Sequence, residues 1–380
     1  MRGITAGALA LGLLASNCPP AQAAPRPHPE EWWFNAWQIA KKVWPLTQGE
    51  GVTVGLIDTG VEARLSGLKS VVLPGSGGDT SPNGDGRVDT DRKKGGHGTG
   101  MAALIAAQGS SDGMVGIAPK SHILPVVTSN FSFAADIRYA VDNGAKVINM
   151  SIAIPADRCP DGIRSAVHYA IQHDVVLIAG AGNEPEDLTI GAPANCPGVL
   201  TVGGVDAYLS PWDKSTPGTS VMLAAPGVSV GSIGMAGVFT PRINGTSSAA
   251  ALTSGVAALM RSHFPRMSGR EIVQRMLATA RDVGPRGWDQ KTGFGALIPQ
   301  KALTAEVPET APNPVYASFA RQAAKPRPSL PSPAPRREAT TEKGTRKAGK
   351  YAIFAAIALP TGVALLTTLG LYRRRHRSSV

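Results

Sequence analysis

The sequence predicts a three-layer α/β/α domain built on a mostly parallel central sheet, followed by a single C-terminal transmembrane helix. Three observations carry that expectation. Short, nearly continuous apolar runs alternate with amphipathic helical stretches, the pattern of a parallel sheet covered on both faces. A 43% hydrophobic content with only 17% charged residues suits a large packed core and excludes a mostly disordered chain. Near the end, residues 351–372, YAIFAAIALPTGVALLTTLGLY, are uncharged and apolar throughout, long enough to cross about 30 Å of hydrocarbon as a helix.

The elements follow in chain order. Residues 1–23 read as a secretory signal peptide, with Arg2, an apolar stretch through Ala15, and the small-residue site Ala21-Gln22-Ala23 for cleavage. Cys18 does not complete a lipidation motif, because Asn17 stands where a small residue belongs. Residues 24–48 form an N-terminal extension carrying Trp32, Trp33, Trp37 and Trp44, expected to pack on the following domain as a permanent cover. Within the domain at 49–304, strands are expected at 51–58, 122–127, 145–152, 174–182 and 198–205. Amphipathic helices are expected at 133–144, closing on Asn143-Gly144, and at 162–174.

Beyond Leu303 the composition changes. Residues 305–349 are rich in Pro, Ala and charge, as in KPRPSLPSPAPRRE, and read as an extended, semi-rigid linker. The membrane helix at 350–372 and a basic tail at 373–380 follow. Arg373, Arg374, Arg375 and Arg377 place the tail in the cytoplasm by the positive-inside rule, leaving the domain outside.

The formal net charge of +11 belongs to this C-terminal part: from residue 321 onward there are 13 Lys and Arg against 2 Asp and Glu, and 25 of each before it. A neutral globular part lacks the basic face that nucleic-acid binding requires. Removal of the signal peptide leaves Cys159 and Cys196, an even pair in an exported and so oxidising setting, where a disulfide is expected over two free thiols.

In parallel sheets, sites gather beyond the carboxyl ends of strands. Asp58 ends the strand VTVGLID, where a carboxylate can orient an imidazole. His97, in GGHGTGMAALIAA, stands at the entrance to an apolar helix. Ser247, in NGTSSAAAL, opens another helix, whose N-terminal dipole favours developing negative charge. Asn183 closes AGAGN just past a strand, where its amide can donate into a cleft. Each alone is ordinary: a turn Asp, a loop His, a turn Asn, and small residues that let a helix pack closely.

Together, LIDTGV, GGHGTGMAA, AGAGNE and NGTSSAAA, in that order, resemble the motif segments of the subtilisin-like serine proteases, over a stretch from about Ala36 to Leu303. The resemblance implies a subtilisin-like fold and an acyl-enzyme mechanism in which Ser247 is the nucleophile, His97 the proton carrier and Asp58 its orienting carboxylate. It also implies that Asn183 stabilises the oxyanion, and that 151–153 and 179–182 receive the substrate. That assigns Ser151, Ile152, Ala153, Ala179, Gly180, Ala181 and Gly182 to substrate binding. Ser151-Ile152-Ala153 stands where relatives often carry Ser-Leu-Gly, so the Ala153 methyl is expected to reshape the cleft.

Residues 81–91, SPNGDGRVDTD, have the oxygen-rich look of a calcium loop, but Ser81 and Arg92 occupy the positions of the first and last carboxylates. A structural calcium therefore lacks a complete motif, a solvated turn-rich loop is the alternative, and no cofactor or metal is expected. The signal peptide, short extension, linker and membrane helix together resemble the mycosins, the membrane-anchored subtilases associated with type VII (ESX) secretion. That resemblance implies exported protein substrates and the membrane components of the secretion system as partners. Two alternatives stand beside it: a structural component that stabilises the channel with proteolysis dispensable, and a broad-specificity surface protease.

Overall fold

The computed structural model describes residues 27–323, apart from 80, 94, 110–112, 130–131 and 188. These residues lie in one unit that ends at Pro326, and the second unit, Arg327–Val380, falls outside the described residues. So do the expected signal peptide at 1–23 and membrane helix at 350–372. Among the described residues no helix is long and apolar enough to cross a membrane.

All five expected strands form: β1 (Thr53–Asp58), β2 (His122–Val127), β3 (Val147–Met150), β4 (Val176–Gly180) and β5 (Leu200–Val205). A sixth, β6 (Val221–Pro226), joins them in one parallel sheet of order β2-β1-β3-β4-β5-β6. Residues on either side alternate between two separate cores. Val147, Val176 and Ile178 face one, and Ile148, Leu177 and Ala179 face the other, as period-two side chains in a doubly covered sheet must.

The first core holds α2 (His97–Ala106) and α5 (Thr246–His263), and the second holds α3 (Phe133–Asp142) and α4 (Asp161–Gln172). The hydrophobic pattern explains the division. Helices α3 and α4 bury one stripe each, whereas α2 is buried from Gly98 to Ala106 and α5 along nearly its whole length. Small residues permit that: Gly, Ala, Ser and Thr in α5 let it lie against the sheet from β3 to β6. The chain crosses from β2, on one side of β1, to β3 on the other. This places a topological switch point between β1 and β3, where ligand sites form in open α/β sheets.

The N-terminal extension is part of the first core. Its short helix α1 (Trp32–Ala36) presents Trp33, fully buried, and Phe34. The indole N–H groups of Trp32, Trp33 and Trp44 donate to the carbonyls of Val228 (3.1 Å), Val230 (3.2 Å) and Ile117 (2.9 Å). Burying an indole without such a partner would cost more than a kilocalorie per mole, on the order of 1–3 kcal/mol, so these acceptors fix where the extension can dock.

The expected linker start at 305 is corrected. Helices α6 (Gly269–Ala278) and α7 (Pro299–Thr304) are followed by α8 (Pro314–Ala323), whose Val315 and Tyr316 are buried in the first core. Arg270 lies over the Tyr316 ring at 5.2 Å, and Asn313 Nδ2 donates to the Arg270 carbonyl (2.8 Å). Burial raises the Tyr316 pKa above the usual phenol value. Proline-rich composition masked this helix because only Val315, Tyr316 and Phe319 carry its apolar face, too few for a periodic signal on their own.

Candidate active site

At the carboxyl edge of the sheet, residues far apart in sequence form two bonded sets: Asp58 with His97, and Ser247 with Ser151. Asp58 ends β1 and is fully buried; His97 is the first residue of α2, with its side chain 26% exposed. The His97 Nδ1 and Asp58 Oδ1 atoms lie 2.7 Å apart, and Asp58 Oδ1 also accepts from Thr59 N (2.8 Å). Burial disfavours the imidazolium, but the charge and hydrogen bond of Asp58, with Asp91 and Asp89 behind it, outweigh that. The His97 pKa therefore stands above the ordinary histidine value.

Ser247 is the second residue of α5, so no intrahelical carbonyl lies behind its N–H. Its hydroxyl donates to the Ser151 carbonyl (3.0 Å), and the Ser151 hydroxyl donates back to the Ser247 carbonyl (3.1 Å). Asn149 Nδ2, reaching up from β3, holds Ser151 Oγ at 2.9 Å, and Ser254 of α5 donates to Asn149 Oδ1 (3.1 Å). This ladder ties the start of α5 to the end of β3. In this resting arrangement the Ser247 hydroxyl is turned to Ser151.

Asn183 lies just past β4. Its Oδ1 accepts from Thr246 N and from Thr246 Oγ1, each at 3.0 Å, which leaves the amide Nδ2 facing the other way. Gly245 shows where that donor aims. A Cβ built there would sit 3.7 Å from Asn183 Nδ2 and 3.8 Å from Ser247 N. Two N–H groups thus border one small space beside Ser247 Cβ, at the positive end of a helix of 18 residues. A negatively charged oxygen developing there would meet preorganised donors.

A cleft of about 560 Å³ opens alongside, and Ser151, Ile152, Ala153, Gly180, Ala181, Gly182 and Asn183 all line it together with Ser247. Ala179, expected on the same wall, does not. It is 1% exposed and packs into the α3–α4 core, because alternation along β4 turns it away from its neighbour Gly180. The sequence reading missed Thr246, which orients Asn183, and the cleft residues Glu184, Thr189 and Thr216. Thr246 and Glu184 had a local signal, being next to Ser247 and Asn183 in the chain; Thr189 and Thr216 join the cleft through tertiary folding.

Cys159 and Cys196 form a disulfide with Cα atoms 4.8 Å apart. It joins the segment after the cleft residues 151–157 to the loop after Gly191, which the Ile154–Ala192 bridge already holds against that segment. In the oxygen-rich loop at 81–91, Asp85 pairs with Arg87 at 2.7 Å and Asp89 is fully buried. Among the described residues no group of three or more His, Cys, Asp or Glu side chains is arranged to hold a metal ion.

Residues 49–295 match the model of the subtilase family, Peptidase S8. Mycosin-4 of Mycobacterium tuberculosis is 33% identical over 398 residues, covering 88% of this chain and 80% of that relative. Subtilisin DY of Bacillus licheniformis is 34% identical over 247 residues, covering 62% of this chain and 86% of that relative. The crystal structure of MycP1 from the ESX-1 type VII secretion system superposes with a TM-score of 0.65 at 30% identity, over 78% of this chain and 91% of that one. A parallel sheet with this switch point, the Asp58–His97 pair, the helix-borne Ser247 and these alignments agree: the chain belongs to the subtilase family, is a serine endopeptidase, and is related to the mycosins.

Proposed function

We propose that this chain is a membrane-anchored endopeptidase that cleaves exported proteins beside a type VII secretion system, with Ser247, His97 and Asp58 as its catalytic residues. One observation carries the assignment: Asp58 and His97 are bonded at 2.7 Å while Asn183 Nδ2 and Ser247 N border one space at the start of α5. Residues of these types have no common structural need to meet there. The membrane anchor is supported by the apolar run at 351–372 and the arginines after it, and the secretion partner by the names of the mycosin relatives.

In the proposed reaction the Ser247 hydroxyl leaves the Ser151 carbonyl and turns to His97, which takes its proton as Oγ attacks the scissile carbonyl. Asp58, already bonded to Nδ1, holds the ring so that Nε2 faces the serine and offsets the charge that forms. The carbonyl oxygen becomes an oxyanion and enters the space between Asn183 Nδ2 and Ser247 N. The Ser151 carbonyl, freed of the hydroxyl, becomes available to the substrate backbone. His97 then returns the proton to the leaving amine, and water repeats the sequence to release the acyl group.

The test is covalent labelling of the full-length protein by a fluorophosphonate, which reacts with activated serines. Labelling is expected in the wild type and lost in Ser247→Ala with the fold unchanged. Equal labelling of Ser247→Ala would refute the nucleophile assignment. Export assays with the same variant separate cleavage from channel support: lost processing with export intact identifies proteolysis as its own function.

A further inference from the structure

Asp89 has no place in that relay, yet it is fully buried in a segment most of whose side chains are exposed or half-buried. Both of its oxygens are occupied. Oδ1 accepts from Thr59 Oγ1 (2.8 Å) and Asp91 N (2.9 Å); Oδ2 accepts from Thr99 N (2.8 Å) and Thr99 Oγ1 (2.6 Å). An ionised carboxylate offers about four lone-pair sites. Four donors fill them, so Asp89 has no free lone pair to offer a metal.

Where those donors sit is informative. Thr59 follows Asp58 directly, and its hydroxyl, while donating to Asp89, accepts from Gly98 N (2.9 Å). Thr99 stands two residues after His97, and its hydroxyl accepts from Glu62 N (3.0 Å). Asp91, whose N–H Asp89 holds, accepts through Oδ2 from His97 N (3.3 Å). The loop before His97 comes equally close. Gly96 has φ 95°, and a Cβ on it would lie 3.1 Å from Asp89 Oδ2 and 2.8 Å from Met235 N. One buried carboxylate is therefore bonded to the side chain that follows Asp58, to the first turn of α2 and to the loop that delivers His97.

We infer that Asp89 is a positioning residue for the protease reaction: it locks the end of β1 to the start of α2 at the separation that keeps Asp58 bonded to His97. It touches neither substrate nor the reacting atoms. The inference rests on Asp58, His97 and Ser247 being the catalytic residues. Its physical content is that a displacement of about 1 Å in a catalytic group lowers turnover on the order of 10²-fold, and that Asp89 is what prevents such a displacement.

Asparagine keeps the shape of Asp89 but turns an N–H₂ toward donors that need an acceptor, so Asp89→Asn replaces hydrogen bonds by donor–donor conflicts. Thr59→Val and Thr99→Val remove one hydroxyl each from the same carboxylate without a donor–donor conflict, and they also take the acceptor from Gly98 N and from Glu62 N respectively. Thr59→Ser and Thr99→Ser put the hydroxyl back.

The experiment compares these full-length variants with wild type by fluorophosphonate labelling rate, and by NMR titration of the His97 imidazole in protein carrying ¹⁵N-histidine. The His97 signal is identified by its absence in His97→Gln. Expected are labelling slowed on the order of 10²-fold in Asp89→Asn and in both valine variants, with most of the rate recovered in the serine variants. The charges of Asp58, Asp91 and Asp89 all raise the His97 pKa, so Asp89→Asn removes one of the anions that favour the imidazolium, and His97 should titrate at lower pH. A lowered melting temperature with the His97 titration unmoved, and labelling that falls only with the folded fraction, would overturn the proposal. Should Asp89→Asn not fold, the valine and serine pairs decide by the same criteria. Failure of the wild type to label would count against the catalytic assignment, while the imidazole titration, which needs no turnover, still decides the role of Asp89.

Discussion

Replacing Trp33 by alanine tests whether the N-terminal extension is a built-in part of the enzyme. Trp33 is fully buried in the core that holds α2 and α5, and its indole N–H donates to the Val230 carbonyl at 3.2 Å. Truncating a buried tryptophan to alanine costs about 3–5 kcal/mol through lost transfer energy and the cavity left behind. An acceptor left without its donor adds roughly 1 kcal/mol or more. A loss of about 4–6 kcal/mol corresponds, for a domain of this size, to a fall in melting temperature on the order of 10 °C. Trp33→Phe retains most of the apolar volume and should lose only about 1–2 kcal/mol, chiefly from the hydrogen bond and the smaller ring. Thermal unfolding of the full-length variants at one scan rate measures both shifts. If Trp33→Ala and Trp33→Phe unfolded together with the wild type, the extension would not be part of the folding unit and the reasoning would be refuted. A destabilised variant whose surviving folded fraction labels normally would show that the extension supports the domain without acting in the cleft.

Activity should fall as pH drops through a midpoint above the ordinary histidine value, because His97 must be neutral to accept the serine proton and its pKa is raised by Asp58 over the opposing effect of burial. The stability that the Asp58–His97 pair contributes runs the other way: it is fully present below the pKa of an unfolded histidine and fades as pH rises through the raised folded value. A labelling profile with an acid limb below that of an unperturbed histidine would contradict the assigned pair. Asn183→Ala is expected to lower turnover about 100- to 1,000-fold, as loss of one oxyanion donor does in enzymes of this type. Its melting temperature should fall by no more than a few degrees, since the exposed Asn183 side chain gives up only the two hydrogen bonds it accepts from Thr246; a loss of activity matched by a loss of fold would argue against the role. Chains ending at 304 and at 323 should differ in stability, because the shorter one uncovers the surface that Val315 and Tyr316 bury. Equal melting temperatures would restore the boundary at 305.

Much of the site was legible because its signals are local. Asp58, His97, Asn183 and Ser247 each sit at the end of a strand or the start of a helix, inside short segments whose residue types announce a turn, a cap or a close approach. The strands were legible for the same reason: a doubly covered strand is apolar on both faces and reads so without any partner. The failures are equally specific. β6 was passed over because VMLAAP follows a polar turn-rich stretch with no matching helix before it. Ala179 and Gly180 look alike as wall residues, but adjacent positions on a strand face opposite sides, and which side is the cleft depends on where the helices pack.

By itself the sequence carried the parallel α/β sheet, through the periodicity of its strands and helices, and the order of the chemical groups along the chain; the chemistry expected of them came from the resemblance of four segments to the subtilisin-like proteases. Tertiary structure decided which of those groups meet and what holds them. Asp89 was a loop carboxylate until β1 and α2 brought Thr59 and Thr99 onto its two oxygens. The tryptophans of the extension found their acceptors in carbonyls of residues 117, 228 and 230, and α8 found its core under the domain. Those contacts join positions tens to hundreds of residues apart, and a carboxylate or an indole carries no local mark of the partner that chain folding will bring to it.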